Sequence, residues 1–212
     1  MTDSNRRPRR ARPHAAALLL AGCFTGQRPN FQSNDPLIVT GNADIDAVLD
    51  RLDSTPFAEF TADYDVETRL GGLQSKATAV QDVGGRRSVT INSIRYLVDG
   101  GQEVTCDLDV GECEAIINNA RTSDVALFDR FYGADFATRL RTDASRRIGE
   151  ATGYAITQGG EQALCVDIPV NGGIKSYCAL EDGPLARYNG NDLFIELTAY
   201  SPTPDESKFA TS

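Results

Sequence analysis

Polar and apolar positions change their period several times along this chain, and each change marks an element. Ile45, Val48, Leu49 and Leu52 recur at i, i+3, i+4 and i+7, the spacing of one helix face. Asn42 stands before them as a cap, Asp44 and Asp46 suit a first turn, and Pro56 stops the run. From Ala58 the period becomes two. Ala58, Phe60, Ala62, Tyr64 and Val66 alternate with Glu59, Thr61, Asp63 and Asp65, as in a half-buried strand. Alternation returns over residues 76–83, 86–98 and 102–108, with turns signalled by Gly71-Gly72, Gly84-Gly85 and Asp99-Gly100-Gly101.

The period lengthens again from Ser123. Phe128, Phe131 or Tyr132, Phe136, Leu140, Ala144 and Ile148 follow at helical intervals. This predicts two helices split at Gly133, the second ended by Gly149 behind Arg146 and Arg147. Strands resume at 153–158, 162–170, 174–181, 185–188 and 193–200, punctuated by Asn171-Gly172, Asp182-Gly183 and Asn189-Gly190. Short turns join neighbours antiparallel, so roughly nine strands enter one large sheet. A sheet that wide curls, and its apolar concave face must be covered. The predicted fold is α+β: a curled antiparallel half-barrel with a short N-terminal helix and a central helical insertion over the concave face.

The N-terminus carries a different pattern. Residues 1–13 hold Arg6, Arg7, Arg9, Arg10 and Arg12 against one acid, Asp3, and residues 14–22 are apolar or uncharged. A basic region, a short apolar core and small residues before a cut site define a secretory signal, too short to span a bilayer. Leu20-Ala21-Gly22-Cys23 resembles the bacterial lipobox. That resemblance implies a diacylglyceryl group on the Cys23 thiol, cleavage after Gly22 and acylation, with palmitate for example, of the new amine. The expected organisation is a signal peptide over 1–22, a lipidated N-terminus and flexible tether over 23–41, a folded domain over 42–200 and a disordered tail over 201–212. As a coil of about a dozen residues the tether reaches ~20 Å. The expected address is the cell membrane, lipid-anchored on its extracytoplasmic face.

Processing changes the chemistry available. Removing 1–22 leaves 16 basic and 29 acidic residues, a net charge of −13 without a basic patch for phosphate backbones. Nucleic acid is thereby an unsuitable partner. The single histidine, His14, leaves with the signal, which rules out Ser-His-Asp triads, Cys-His dyads and histidine metal sites in the mature chain. No glycine-rich phosphate loop is present, and Asp63 and Asp65 read as the solvated face of a strand. The expectation is a protein that is not an enzyme and takes no cofactor or metal.

Cys106, Cys113, Cys165 and Cys178 remain besides Cys23, an even set that reads as two disulfides in an exported chain. Three connectivities are open, and spacing favours local pairs. A two-residue type I′ turn at Asn171-Gly172 puts Val170 opposite Gly173 and, counting outward, Cys165 opposite Cys178. Alternation makes that a non-hydrogen-bonded position, where α-carbons approach to about 4.5 Å. Cys106 and Cys113 flank another short turn, less decisive in its residues.

Leu49-Asp50-Arg51-Leu52 followed by Phe57-Ala58-Glu59-Phe60-Thr61 resembles the helix-into-strand opening of the LolA/LolB lipoprotein carriers. Leu97-Val98-Asp99-Gly100 resembles their aspartate-glycine turn, and the element order also resembles the LppX/LprG-type lipid-binding lipoproteins of mycobacteria. The resemblance implies a half-open barrel whose apolar cavity takes acyl chains. Phe60, Tyr64, Val89, Ile91, Phe128, Phe131, Phe136 and Leu140 are the candidate lining. The same residues would equally build a dry core. Two functions follow as expectations: binding or carrying a lipid ligand, or holding a membrane-protein or cell-wall partner from a lipid anchor. Cys23→Ser should leave the precursor unlipidated and unable to stay on membranes, since attachment needs the acyl chains. Fatty-acid labelling followed by membrane pelleting checks this, and a Ser variant that still labels and pellets contradicts the lipobox.

Overall fold

The computed structural model describes residues 40–122 and 127–210. Cys23, the signal and residues 24–39 of the tether lie outside the described residues, as does the start of the expected central helix at Ser123. Helix α1 (Ala43–Ser54) is the first element, and its Asn42 side chain accepts from the Asp44 and Ile45 amides at 3.0 and 3.1 Å. That capping bond satisfies two amides that have no partner inside the helix. Ile45, Val48, Leu49 and Leu52 are its buried stripe, as their spacing predicts.

Eleven strands form a single sheet: β1 (Phe60–Thr68), β2 (Gln74–Gln81), β3 (Arg87–Ile91), β4 (Ile94–Asp99), β5 (Gln102–Asp107), β6 (Glu112–Glu114), β7 (Thr152–Gln158), β8 (Glu161–Val170), β9 (Gly173–Leu180), β10 (Leu185–Asn189) and β11 (Leu193–Ser201). Their order is β6-β5-β4-β3-β2-β1-β11-β10-β9-β8-β7, antiparallel throughout. Two meanders therefore meet at the β1–β11 pair, and the outermost strands β6 and β7 do not pair with each other. The C-terminal meander curls until Gln158 Nε2, at the end of β7, donates to the Leu197 carbonyl on β11 at 2.8 Å. This is the α+β architecture expected, with strands added where the residue pattern is weak.

Two of those additions have identifiable causes. The alternation over 86–98 is two strands, because Asn92 adopts φ 52° and turns the chain. Asn92 tolerates that conformation and stitches it down: its side chain accepts from the Lys76 amide at 3.1 Å and donates to Ser75 Oγ at 3.2 Å. β6 is only three residues, too short for a periodicity to register.

The central insertion departs further from expectation. Only one α-helix forms there among the described residues, α2 (Ala134–Ser145). Residues 128–133 are tight turns, with Phe131 N donating to Phe128 O at 3.1 Å and Gly133 N to Arg130 O at 3.2 Å. The helical spacing of Phe128 and Phe131 is thus the spacing of a turn. α2 ends at Ser145, before the expected stop at Gly149, and Ile148 is left exposed. The cover over the sheet is also shared differently. The N-terminal helix α1 packs against β7, β8 and β9, while α2 packs on α1 and β8. Gly183, in the β9–β10 turn, allows that approach: a Cβ there would stand 2.8 Å from Thr55 N and 2.9 Å from Arg51 O.

The C-terminal run was expected to be an unstructured tail, but it lies against the opposite face as far as Ala210. Thr61 Oγ1 donates to the Thr203 carbonyl at 2.9 Å and accepts from the Asp205 amide at 2.8 Å. Arg86 pairs with Glu206 at 3.0 Å and stacks over Phe209 at 4.4 Å, and Arg95 donates to the Ala210 carbonyl at 2.8 Å. Beneath it, Val80, Ser88 and Leu97 form a buried cross-strand row on the side away from the helices.

Both disulfides join local pairs, Cys106–Cys113 and Cys165–Cys178, with Cα separations of 4.1 and 4.0 Å. The β8–β9 register is the predicted one, Val170 opposite Gly173 through Cys165 opposite Cys178. The turn differs from type I′: Gly172 takes φ 101° and Gly173 143°, and Asn171 is not left-handed. Replacing Cys165 and Cys178 with alanine should cost about 2–3 kcal/mol, because the closed loop is short. Denaturant unfolding checks the figure, and a loss above about 5 kcal/mol would show that the bridge does more than constrain the unfolded chain.

Candidate functional site

The face of the sheet under the helices is where the LolA-like resemblance implies a cavity, and the eight candidate residues fall on it unequally. Phe60, Tyr64, Val89, Ile91, Phe131, Phe136 and Leu140 are all buried in one continuous core. Phe128 is 52% exposed, because the turn that starts there throws its ring outward. The buried rings meet each other. Tyr64 and Phe131 stand edge to face with centroids 5.1 Å apart, and Phe60 meets Tyr132 at 5.4 Å. Further along, Phe136 of α2 lies 4.7 Å from Tyr188 and 6.4 Å from Tyr177, while those two tyrosines are 5.0 Å apart. Contacts of this kind fill the space between helix layer and sheet.

Polar groups that the sequence did not single out hold the cover in place. Gln81, buried on β2, donates through Nε2 to the carbonyls of Thr55 at 2.7 Å and Ala58 at 2.9 Å. Its Oε1 accepts from the Tyr132 hydroxyl at 2.9 Å, so one amide ties the end of α1 to the turn region. Arg87 on β3 holds Asp129 at 3.1 Å. On α2, Asp143 accepts Lys175 Nζ on both oxygens at 2.8 Å and also the Tyr177 hydroxyl. Arg141 pairs with Asp53 of α1, and Arg139 pairs with Asp192 at 2.5 Å while lying over the Phe136 and Tyr188 rings. No periodicity announces these partners, since each joins elements far apart in sequence.

The electrostatics follow from burial and charge. Desolvation pushes the Tyr64, Tyr132, Tyr177 and Tyr188 hydroxyls above the ordinary tyrosine range, so all four stay neutral. Desolvation also raises Asp135. It pushes Asp192 the same way, but Arg139 outweighs it and holds that carboxyl below its usual range. Tyr64 carries the one polar atom deep among the candidate residues that has no hydrogen-bond partner among the described residues.

Two surface hollows lie elsewhere. One, of about 420 Å³, is lined by Ser54, Phe57, Ala58, Glu59, Asp182 and Pro202. The other, of about 550 Å³, is lined by residues 101–104 with Ala115 and Ile116. Neither includes any of the eight candidates. Among the described residues no group of three His, Cys, Asp or Glu is placed to hold a metal ion, and no helix is long and apolar enough to cross a membrane.

No protein-family model matches the sequence, and no curated protein matches it. Solved structures with a similar fold include MucB, at 15% identity and a TM-score of 0.48, over 80% of this chain and 63% of that one. The Pseudomonas aeruginosa MucA/MucB complex matches at 16% identity and 0.47, over 79% and 61%. LprF from Mycobacterium bovis matches at 11% identity and 0.35, over 73% and 93%. The chain spans about three fifths of the MucB structures. None is close enough to lend this chain its activity.

The ion pairs on α2 differ in burial and should differ in worth. Lys175→Met leaves Asp143, a buried acid, without its cation and should cost about 3 kcal/mol or more. Arg139→Met breaks a pair whose carboxylate side chain is 51% exposed, and should cost under about 1 kcal/mol. Equal losses in chemical denaturation would contradict this division.

Proposed function

We propose that this chain is a lipid-anchored, non-enzymatic binding protein on the extracytoplasmic face of the cell membrane. Its partner is another envelope protein, held at the surface. The supporting observation is the filled interior: seven of the eight candidate lining residues pack ring against ring or side chain against side chain, beneath helices pinned by Gln81, Asp143 and Arg141. A site for a preformed ligand is a concave space already open. The lipobox resemblance supports the anchor, and a charge of −13 leaves the domain no electrostatic attraction to anionic headgroups, so the acyl chains would do the holding.

A second reading, an acyl chain taken into the interior, draws on two observations. The Tyr64 hydroxyl is buried without a partner among the described residues, and three ion pairs, which can exchange for water, help the buried side chains of α2 to fasten it. Lifting α2 would uncover Phe136, Leu140, Tyr177 and Tyr188 together.

Leu140→Phe separates the two readings. Leu140 is fully buried, and the larger ring should cost about 1–3 kcal/mol in a packed site. The expected result is that loss, with no lipid extracted from either protein by organic solvent and mass spectrometry. Retained thermal stability, with bound lipid in the parent and less in the variant, would overturn the surface-binding reading in favour of the lipid one.

A further inference from the structure

The two outermost strands are finished in opposite ways. β6 is three residues long, carries Glu112 and Glu114, and is crosslinked through Cys113. Charge and brevity are how natural sheets prevent their edges from pairing with other chains. β7 has neither. Its seven residues, Thr-Gly-Tyr-Ala-Ile-Thr-Gln, contain no charge and no proline, and it pairs with β8 along its whole length without a bulge.

The hydrogen-bond phase of that pair fixes what the free side offers. Gln158 faces Glu161 next to the Gly159-Gly160 turn and is a hydrogen-bonded pair, so alternation turns the N–H and C=O of Thr157, Ala155 and Gly153 outward. Gly153 confirms the phase, since its outward N–H donates to Asp44 Oδ2 at 2.9 Å. Ala155 and Thr157 are exposed, and among the described residues nothing bonds their outward backbone groups. Asp44 at one end and the Gln158–Leu197 bond at the other hold the strand extended, so little order has to be gained on pairing.

We propose that β7 is a docking edge that accepts one added strand, an extended segment of another protein with basic residues at its ends. This rests on the surface-binding reading above and names the surface. The charge argument comes from the frame: exposed Asp44, Glu150 and Glu161 surround the edge, and residues 149–161 hold no arginine or lysine. A second copy of this chain fits poorly. Self-pairing sets this acidic frame of Asp44, Glu150 and Glu161 against its own copy, with no cation between residues 149 and 161 to meet it. It also joins the copies by one strand each, well short of the ~800 Å² per partner typical of a stable interface.

The test uses the full-length protein purified from membranes in detergent and a blocked nonapeptide, Arg-Arg-Thr-Val-Thr-Val-Thr-Arg-Arg. Residue-resolved hydrogen exchange should show the Ala155 and Thr157 amides slowed about tenfold or more by the peptide. A copy N-methylated at alternate central residues should give no slowing, and a copy with glutamates for the arginines should give much less. Thr157→Pro removes an outward N–H without touching the β8 ladder, and should abolish the effect while leaving circular dichroism unchanged. No slowing at about 1 mM peptide, equal slowing by the glutamate copy, or amides already slow in a protein that runs as a dimer would each overturn the proposal. Photo-crosslinkers placed singly at Thr157, Phe57 and Leu70 in native membranes separate this from the broader reading. Protein adducts from Phe57 or Leu70 but not Thr157 discard the edge and keep surface binding, whereas adducts from none of the three discard both.

Discussion

A single sheet of eleven strands has two faces, and this chain has only two α-helices among its described residues with which to cover them. Everything else in the structure answers that shortage. The helices are spent where apolar side chains are densest, over the C-terminal meander, where Tyr177, Val166 and Ile168 meet α1 and α2. Near the junction with the N-terminal meander, Phe131 and Tyr132 are inserted from a run of turns rather than a helix, and they reach Tyr64 and Phe60. The opposite face is closed by cheaper means. Residues 202–210 lie over Val80, Ser88 and Leu97, whereas curling brings β7 round to Leu197, which pairs with Tyr64 and belongs to the core under the helices.

That shortage also explains why polar residues sit inside the cover. An insertion of one short helix and several turns exposes many backbone and side-chain polar groups to the core, and each must be bonded. Gln81 bonds the carbonyls at the end of α1, and Asp143 gathers Lys175 and Tyr177. These groups fix the helices in one position over the sheet. A ligand entering beneath them would have to displace bonded pairs as well as packed rings, which is why the surface carries the functional reading.

What could be read from the residues follows the range of the interaction responsible. Local chemistry was legible: the Asn42 cap, the alternation from Phe60 to Val66, and the Asn171-Gly172 register that brings Cys165 to Cys178. The turn at Asn92 was hidden because asparagine without glycine is a weak signal, and its stabilising bonds go to the neighbouring strand. Phe128 was misplaced because turns and helices share a three-to-four-residue spacing. Of the candidate site, sequence identified most of the apolar residues that come together, but not whether they enclose space. That depends on Tyr132, Tyr177 and Tyr188, whose rings arrive from elements distant in sequence.

The central claim is that the helix layer and the sheet are one closed body, with no separate opening of α2. Native-state hydrogen exchange across a denaturant series tests this directly. The account predicts that the slowest amides of α2, those of Ala137, Leu140 and Ala144, share one opening free energy and one denaturant dependence with the core amides of β1 and β9. An α2 that exchanges by its own opening, several kcal/mol below global unfolding and with a small denaturant dependence, would show a lid that lifts from an intact sheet and would contradict the account.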